Sequence, residues 1–297
     1  EPGRTRKGTI DSETRAAAAG GVTSLCSLPD TLPVLDTPAV AELILDRCEQ
    51  AGQVRVFPYG ALTRGLGGEH LSELVALRDV GCVAFTQGLA PMKSNRILRR
   101  ALEYAAGFDL PVVFMPQDPD IAEGGSAHEG ATAARMGLVG IPETAETVAL
   151  ARDLLLVEQT GVQAHFSGLT SARAMDMLAD AQARGLRVSA DVAMYQLLLC
   201  DEDLEGFSSL LHVQPPLRSK QDRHALRQAV QSGVVQAIAS HHQPHEQEAK
   251  RVPFAASAPG ISSVEILLPL ALTLVTGSDL LVGLTSTACV PGISGIT

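Results

Sequence analysis

The chain has 297 residues, 45% of them hydrophobic and 19% charged, with a formal net charge of −10. That length and apolar share suit one large domain or two small ones built around a sizeable core, while the acidic balance argues against a nucleic-acid or anionic-membrane partner, since both need basic patches. Aromatics are only 3% and Trp is absent, so Ala, Val, Leu and Ile are expected to build the core.

No apolar run approaches the roughly 18 residues needed to cross a bilayer, and no signal-peptide pattern opens the sequence. The cysteines Cys26, Cys48, Cys82, Cys200 and Cys289 are odd in number, widely spaced and never form C-x-x-C. They read as reduced thiols of a cytoplasmic protein.

Along the chain, apolar runs of strand length alternate with helical patterns. The strand-like runs are Val22–Leu28, Val54–Tyr59, Cys82–Thr86, Pro111–Met115, Val162–Phe166, Arg187–Val192 and Val234–Ser240. Continuous apolar runs of this kind suit strands covered on both faces, as in a parallel sheet. Thr37-Pro38 opens one helix with a cap residue and a first-turn proline. Glu143–Glu158 predicts a second helix, and Ser171–Gly185 a third that starts on a capping serine and stops at a glycine.

Seven strands, each followed by a helix, fall one short of an α/β (β/α)8 TIM-type barrel. The sequence opens on Glu1-Pro2-Gly3, a turn element, so the first strand is expected upstream of Glu1. Residues 1–297 then form a single barrel domain running from the second strand to the eighth. A doubly wound open sheet is the rival, but it usually carries a glycine-rich phosphate loop, and neither G-x-G-x-x-G nor G-x-x-x-x-G-K-[ST] occurs.

Barrel chemistry sits at the C-terminal strand ends. Those ends read Pro29-Asp30-Thr31, Gly60-Ala61-Leu62, Thr86-Gln87-Gly88, Met115-Pro116-Gln117, His165-Phe166-Ser167-Gly168, Ala193-Met194-Tyr195 and His241-His242. A zinc ion needs about three or four converging donors. Gly and Ala supply none, Met is soft, and a Gln amide is a poor zinc ligand.

The opening EPGRTRKGTIDSETRAAAAGGVTSLCSLPDTLPV resembles class I dihydroorotases of the cyclic amidohydrolase superfamily. GCVAFTQG, EGG…HEG, VQPPLRSKQDRHAL, ASHHQPH and APGISSVEILLPLAL follow in that family's order, so the resemblance covers essentially the whole chain. It implies a zinc site that makes hydroxide at neutral pH by acidifying bound water. Its ligands would be an H-x-H on the first strand, a bridging carboxylate or carboxylated lysine after the fourth, histidines after the fifth and sixth, and an aspartate after the eighth. In this sequence the H-x-H would precede Glu1, the bridging place holds Gln87, and the two histidine places fall on Met115 and Gly168. The aspartate place falls on His241, and the substrate-binding asparagines fall on Asp30 and Gln214. Asp30 brings a negative charge where an anionic substrate would meet a neutral amide.

The resemblance therefore implies a pseudoenzyme, with no catalytic, substrate-binding or metal residues and no cofactor. It is similar to the non-catalytic dihydroorotase-like chains that associate with aspartate carbamoyltransferase, which implies a structural role in assembling the transcarbamoylase catalytic chains in pyrimidine biosynthesis, within a homo-oligomeric assembly. The alternative is an active metal-dependent cyclic amidohydrolase with an unusual shell, its zinc drawn from His165, His241, His242 and His245. A pyrimidine or nucleotide sensor is a third reading. The small composite β-domain usual in the family is expected to lie outside this sequence, whose late segment Ser286–Thr297 resembles the end of the barrel.

Other residues have plain readings. Asp118 and Asp120 are expected to shape a proline-rich turn, and Glu129 to be a cap or surface residue. Lys93, Arg96, Arg99 and Arg100 form either a solvated helix face or a patch for phosphate or an acidic partner, and Cys82 is expected in the core.

Overall fold

The computed structural model describes Gly3 and residues 5–277. Cys289 and the segment Ser286–Thr297 lie outside the described residues. The strands are β1 (Ser24–Ser27), β2 (Arg55–Ala61), β3 (Ala84–Thr86), β4 (Val112–Phe114), β5 (Ala127–His128), β6 (Gly140–Ile141), β7 (Ala164–Phe166), β8 (Val188–Ala193) and β9 (Ala237–Ala239). Seven of them make one curled, all-parallel sheet in the order β1-β2-β3-β4-β7-β8-β9. The other two, β5 and β6, pair with each other between β4 and β7. At two residues apiece they are too short to leave a period in the sequence.

The helices are α1 (Ile10–Ala19), α2 (Pro38–Ala51), α3 (Leu74–Asp79), α4 (Asn95–Gly107), α5 (Ala131–Met136), α6 (Thr144–Thr160), α7 (Ala172–Ala183), α8 (Lys220–Ser232), α9 (Gln247–Lys250) and α10 (Leu267–Gly277). Four of their starts follow from side-chain capping. Thr9 and Ser219 form capping boxes with Ser12 and Asp222, and the Ser94 and Ser171 hydroxyls accept from Ile97 N and Ala174 N. Thr37 differs from expectation, because its hydroxyl makes no capping bond; Pro38, with its fixed φ, opens α2 instead.

Period-two alternation divides the core. Phe85, Val112, Phe114, Ala164, Phe166, Ala190 and Val192 face the helices, and Phe114 stacks on Phe166 at 5.3 Å. The intervening residues point inside the curl. There Tyr59, Ala84 and Val113 make a small apolar cluster, and His165 aligns with Ser189 across the β7–β8 ladder. Cys82 lies two residues ahead of β3 rather than inside it, and is buried as expected. Burial pushes its thiol pKa up to about 12, so it stays protonated.

Every residue of β3, β4 and β7 is buried, whereas β9 is half-buried throughout and β1 is half-buried at three of its four positions. No ladder joins β9 to β1 among the described residues. No helix among them is long and apolar enough to cross a membrane.

Candidate functional site

The C-terminal strand tips surround a cavity of about 650 Å³. Asp30, Gln87, Met115, Gly168, Gln214 and His241 all line it, so the six positions singled out by motif order converge in space. Asp118, Asp120 and Glu129 are not among its walls. The Asp118 carboxylate instead accepts from the N–H groups of Asp120 and Ile121, closing the expected turn. Glu129 is exposed and does not cap α5, whose N-cap is Gly130.

Gln87, one residue past β3, is buried with both ends of its amide in use. Its Oε1 accepts from the Thr63 hydroxyl at 2.8 Å, and its Nε2 donates to the Leu66 carbonyl at 2.9 Å. The Thr63 oxygen accepts in turn from Gly68 N. This staple fixes the loop after β2, in which Gly65, Leu66 and Gly68 all have positive φ. A carboxylate at this position has no hydrogen to give Leu66.

The floor of the site is organised by Asp191, on the inward face of β8. His165 Nε2 lies 3.0 Å from its Oδ2, and the Ser167 hydroxyl donates to the same oxygen at 2.8 Å. Gly168 N donates to Oδ1 at 2.9 Å, and His241 Nε2 lies 2.7 Å from it. Burial works to raise the Asp191 pKa, but the charge of His241 and the hydrogen bonds from both histidines hold it far below the usual carboxylate range. Burial likewise opposes charge on His241, and Asp191 outweighs it, leaving that imidazole above its ordinary pKa. The ionised carboxylate only accepts, which places the Nε2 protons on both histidines. His165 Nδ1 then meets the Ser189 hydroxyl at 2.8 Å.

Asp191 is a site residue that sequence reading missed, and its carboxylate joins His165 to His241. The available signal was the polar alternation Ser189, Asp191 inside an otherwise apolar strand. His242 and His245 turn elsewhere, and His241 between them and β9 holds a positive φ of 45°. His242 Nε2 bonds Glu13 on α1, and its Nδ1 accepts from Ser263 N and Val264 N. His245 Nε2 donates to the Pro259 carbonyl at 2.8 Å.

Beside the cavity lies a second buried polar knot that was also missed. The Glu146 carboxylate, at the start of α6, accepts from the backbone N–H and hydroxyl groups of both Thr170 and Ser171. Arg218 donates to the Thr170 hydroxyl, to the Ile141 carbonyl and to His128 Nδ1. Burial and the Arg218 charge lower the His128 pKa. These bonds tie β5–β6, α6 and the segment before α8 into one wall.

The residues present do not fit a zinc ion. Both ring nitrogens of His165 and of His242, and the Nε2 atoms of His241 and His245, are committed to hydrogen bonds. The Gln87 amide is spent on the loop. Among the described residues no three His, Cys, Asp or Glu side chains gather so as to hold a metal ion, where zinc requires three or four.

A family profile described as Dihydro-orotase-like matches residues 1–174. The chain is 73% identical over 275 residues to a dihydroorotase-like protein of Pseudomonas aeruginosa, covering 93% of this chain and 65% of that one. It is 42% identical over 275 residues to a dihydroorotase of Syntrophobacter fumaroxidans, covering 93% and 63%. The chain thus spans a little under two thirds of the length of these relatives. Among solved structures it resembles an L-hydantoinase (dihydropyrimidinase) of Arthrobacter aurescens, with a TM-score of 0.78 at 21% identity over 92% of this chain and 62% of that one. A dihydroorotase of Saccharomyces cerevisiae in complex with 5-fluoroorotic acid superposes with a TM-score of 0.73 at 16% identity, over 90% and 74%. At these identities the two structures show a shared fold alone.

Proposed function

The chain belongs to the dihydroorotase-like family, and we propose that it is a cytoplasmic, non-catalytic member whose task is to support assembly of aspartate carbamoyltransferase catalytic chains in pyrimidine biosynthesis. The observation that carries the loss of chemistry is Gln87. Where the resemblance calls for a bridging acid, a neutral amide is buried and bonded at both ends to the loop it anchors. Gly168 and Met115 supply no zinc donor of the usual kind, and His241 is bound to Asp191 rather than standing as a free acid. The partner comes from the sequence resemblance. In this reading residues 1–297 are one barrel domain, closed between β9 and β1 by a strand encoded upstream of Glu1, and the assembly is homo-oligomeric in this chain.

The second reading is an active cyclic amidohydrolase. It draws on the convergence of His165, Asp191 and His241 at the cavity floor and on a relative 42% identical that carries the name dihydroorotase. Three measurements on the full-length protein separate the two: zinc per chain, dihydroorotate ring opening, and co-migration with the transcarbamoylase chain in size-exclusion chromatography. Substoichiometric zinc, no ring opening and co-migration are expected. About one zinc per chain, with ring opening lost in His241→Ala, would overturn the non-catalytic reading. Separate elution of the two chains would overturn the assembly role.

A further inference from the structure

Outside the strand-tip cavity the molecule has a second hollow of about 400 Å³, between the loop after β2 and the first half of α4. Arg64, Glu69, His70, Leu71, Ile97 and Arg100 line it. We propose that this rim cavity binds a small organic phosphate, its dianion held between the Arg64 and Arg100 guanidiniums and its apolar body against Leu71 and Ile97.

The charge balance supports an anion. Arg64 and Arg100 approach from different elements, with His70 beside them and Glu69 as the one carboxylate in the wall. Arg64 makes only a loose, exposed pair with Glu73 at 3.4 Å, and such pairs are cheaply broken. Among the described residues the Arg100 side chain makes no ion pair or hydrogen bond, and neither do the side chains of Lys93 and Arg96 nearby. In an acidic chain this is a local concentration of uncompensated positive charge. Arginine's planar fork matches phosphate oxygens in pairs, while Glu69 can accept from a hydroxyl or amine on the ligand.

The walls are fixed before any ligand arrives, which lowers the cost of binding. Arg64 N donates to the His70 carbonyl at 2.8 Å, and Thr63 bridges Leu71. Lys93 N donates to the Gly68 carbonyl at 3.1 Å, joining the loop to the segment that leads into α4. Gly68 sits so close to that segment that a Cβ would fall 2.5 Å from the Pro91 carbonyl oxygen. The Gln87 amide braces the same loop from inside. A hollow of this size matches the small end of ligand sites, roughly 300–1,000 Å³.

The test is isothermal titration of the full-length protein with phenyl phosphate, with benzyl alcohol and inorganic phosphate as controls. Saturable one-site binding is expected for phenyl phosphate, weaker binding for inorganic phosphate and none for benzyl alcohol. Arg64→Gln and Arg100→Gln should each weaken phenyl phosphate about tenfold or more, and Glu69→Gln should tighten it by removing a like charge. Because Glu69→Gln is a gain, it cannot be confused with misfolding. Absence of saturable binding, or undiminished affinity in the double arginine variant, would overturn the proposal. Equal affinity for inorganic phosphate would remove its organic half. Loss of binding in His241→Gln, with retention in the double arginine variant, would place the ligand at the strand tips and overturn it as well.

Discussion

The imidazole of His241 lies against the backbone of Gly168. A Cβ built on Gly168 would fall 2.8 Å from His241 Cε1, and Gly168 holds φ at +73° while its N–H donates to Asp191. The glycine and the histidine are therefore one arrangement. A side chain at 168 and an imidazole at 241 cannot share this space without movement.

Gly168→Ala should lower stability by about 2 kcal/mol or more, from the left-handed backbone and the collision together. Urea unfolding measures the loss. His241→Ala should remove the collision but not the backbone strain, so a double-mutant cycle is expected to show coupling. Strict additivity would mean the contact costs nothing.

Gln87→Glu should destabilise the chain by about 1–3 kcal/mol or more at neutral pH, because the Leu66 carbonyl loses its donor and a charge enters a buried site. Hydrogen exchange should quicken first in residues 63–68. Zinc content should not rise, which mass spectrometry of the dialysed protein would check.

Asp191 and His241 set opposite edges of a pH window. The Asp191 pKa is lowered on folding, so its contribution is present above the unfolded value of about 3.9 and is lost as pH falls through the folded value. The His241 pKa is raised, so its contribution is complete below the unfolded value of about 6.5 and is lost as pH rises through the folded one. Stability from this pair is greatest between those limits. Asp191→Asn should flatten the window and drop the His241 titration below its ordinary value, as read from imidazole resonances by NMR. An unchanged His241 midpoint would contradict the coupling.

Asp153, buried in α6 with Arg152 as its partner, has a pKa pushed up to about 6 by burial. The folded chain therefore holds a proton that the unfolded chain releases near pH 4, and stability falls as pH rises from there to about 6. Asp153→Asn should stabilise the protein by roughly 1–3 kcal/mol at pH 7–8, with the gain shrinking as pH falls from about 6 to about 4. Thermal melts across that range would show the trend.

The seven strands of the main sheet were legible from mainly apolar runs of strand length between helical patterns, as in Pro111–Met115. The convergence of Gln87, Gly168 and His241 was legible from motif order. Asp191 was hidden because two alternating polar residues, Ser189 and Asp191, read as interruptions of an apolar run until the curl of the sheet assigns them to the inward face. Arg218 and Glu146 were hidden because their bonds span sequence separations of 24 to 90 residues, which no local pattern records. The β5–β6 pair is too short to carry a period.

The Gln87 staple also makes the loop after β2 dependent on a neutral amide. An acid introduced there would strip Leu66 of its donor. A histidine introduced at 168 must first displace His241. Each such single change weakens the fold, so these strand tips tolerate exchange only when their neighbours change with them.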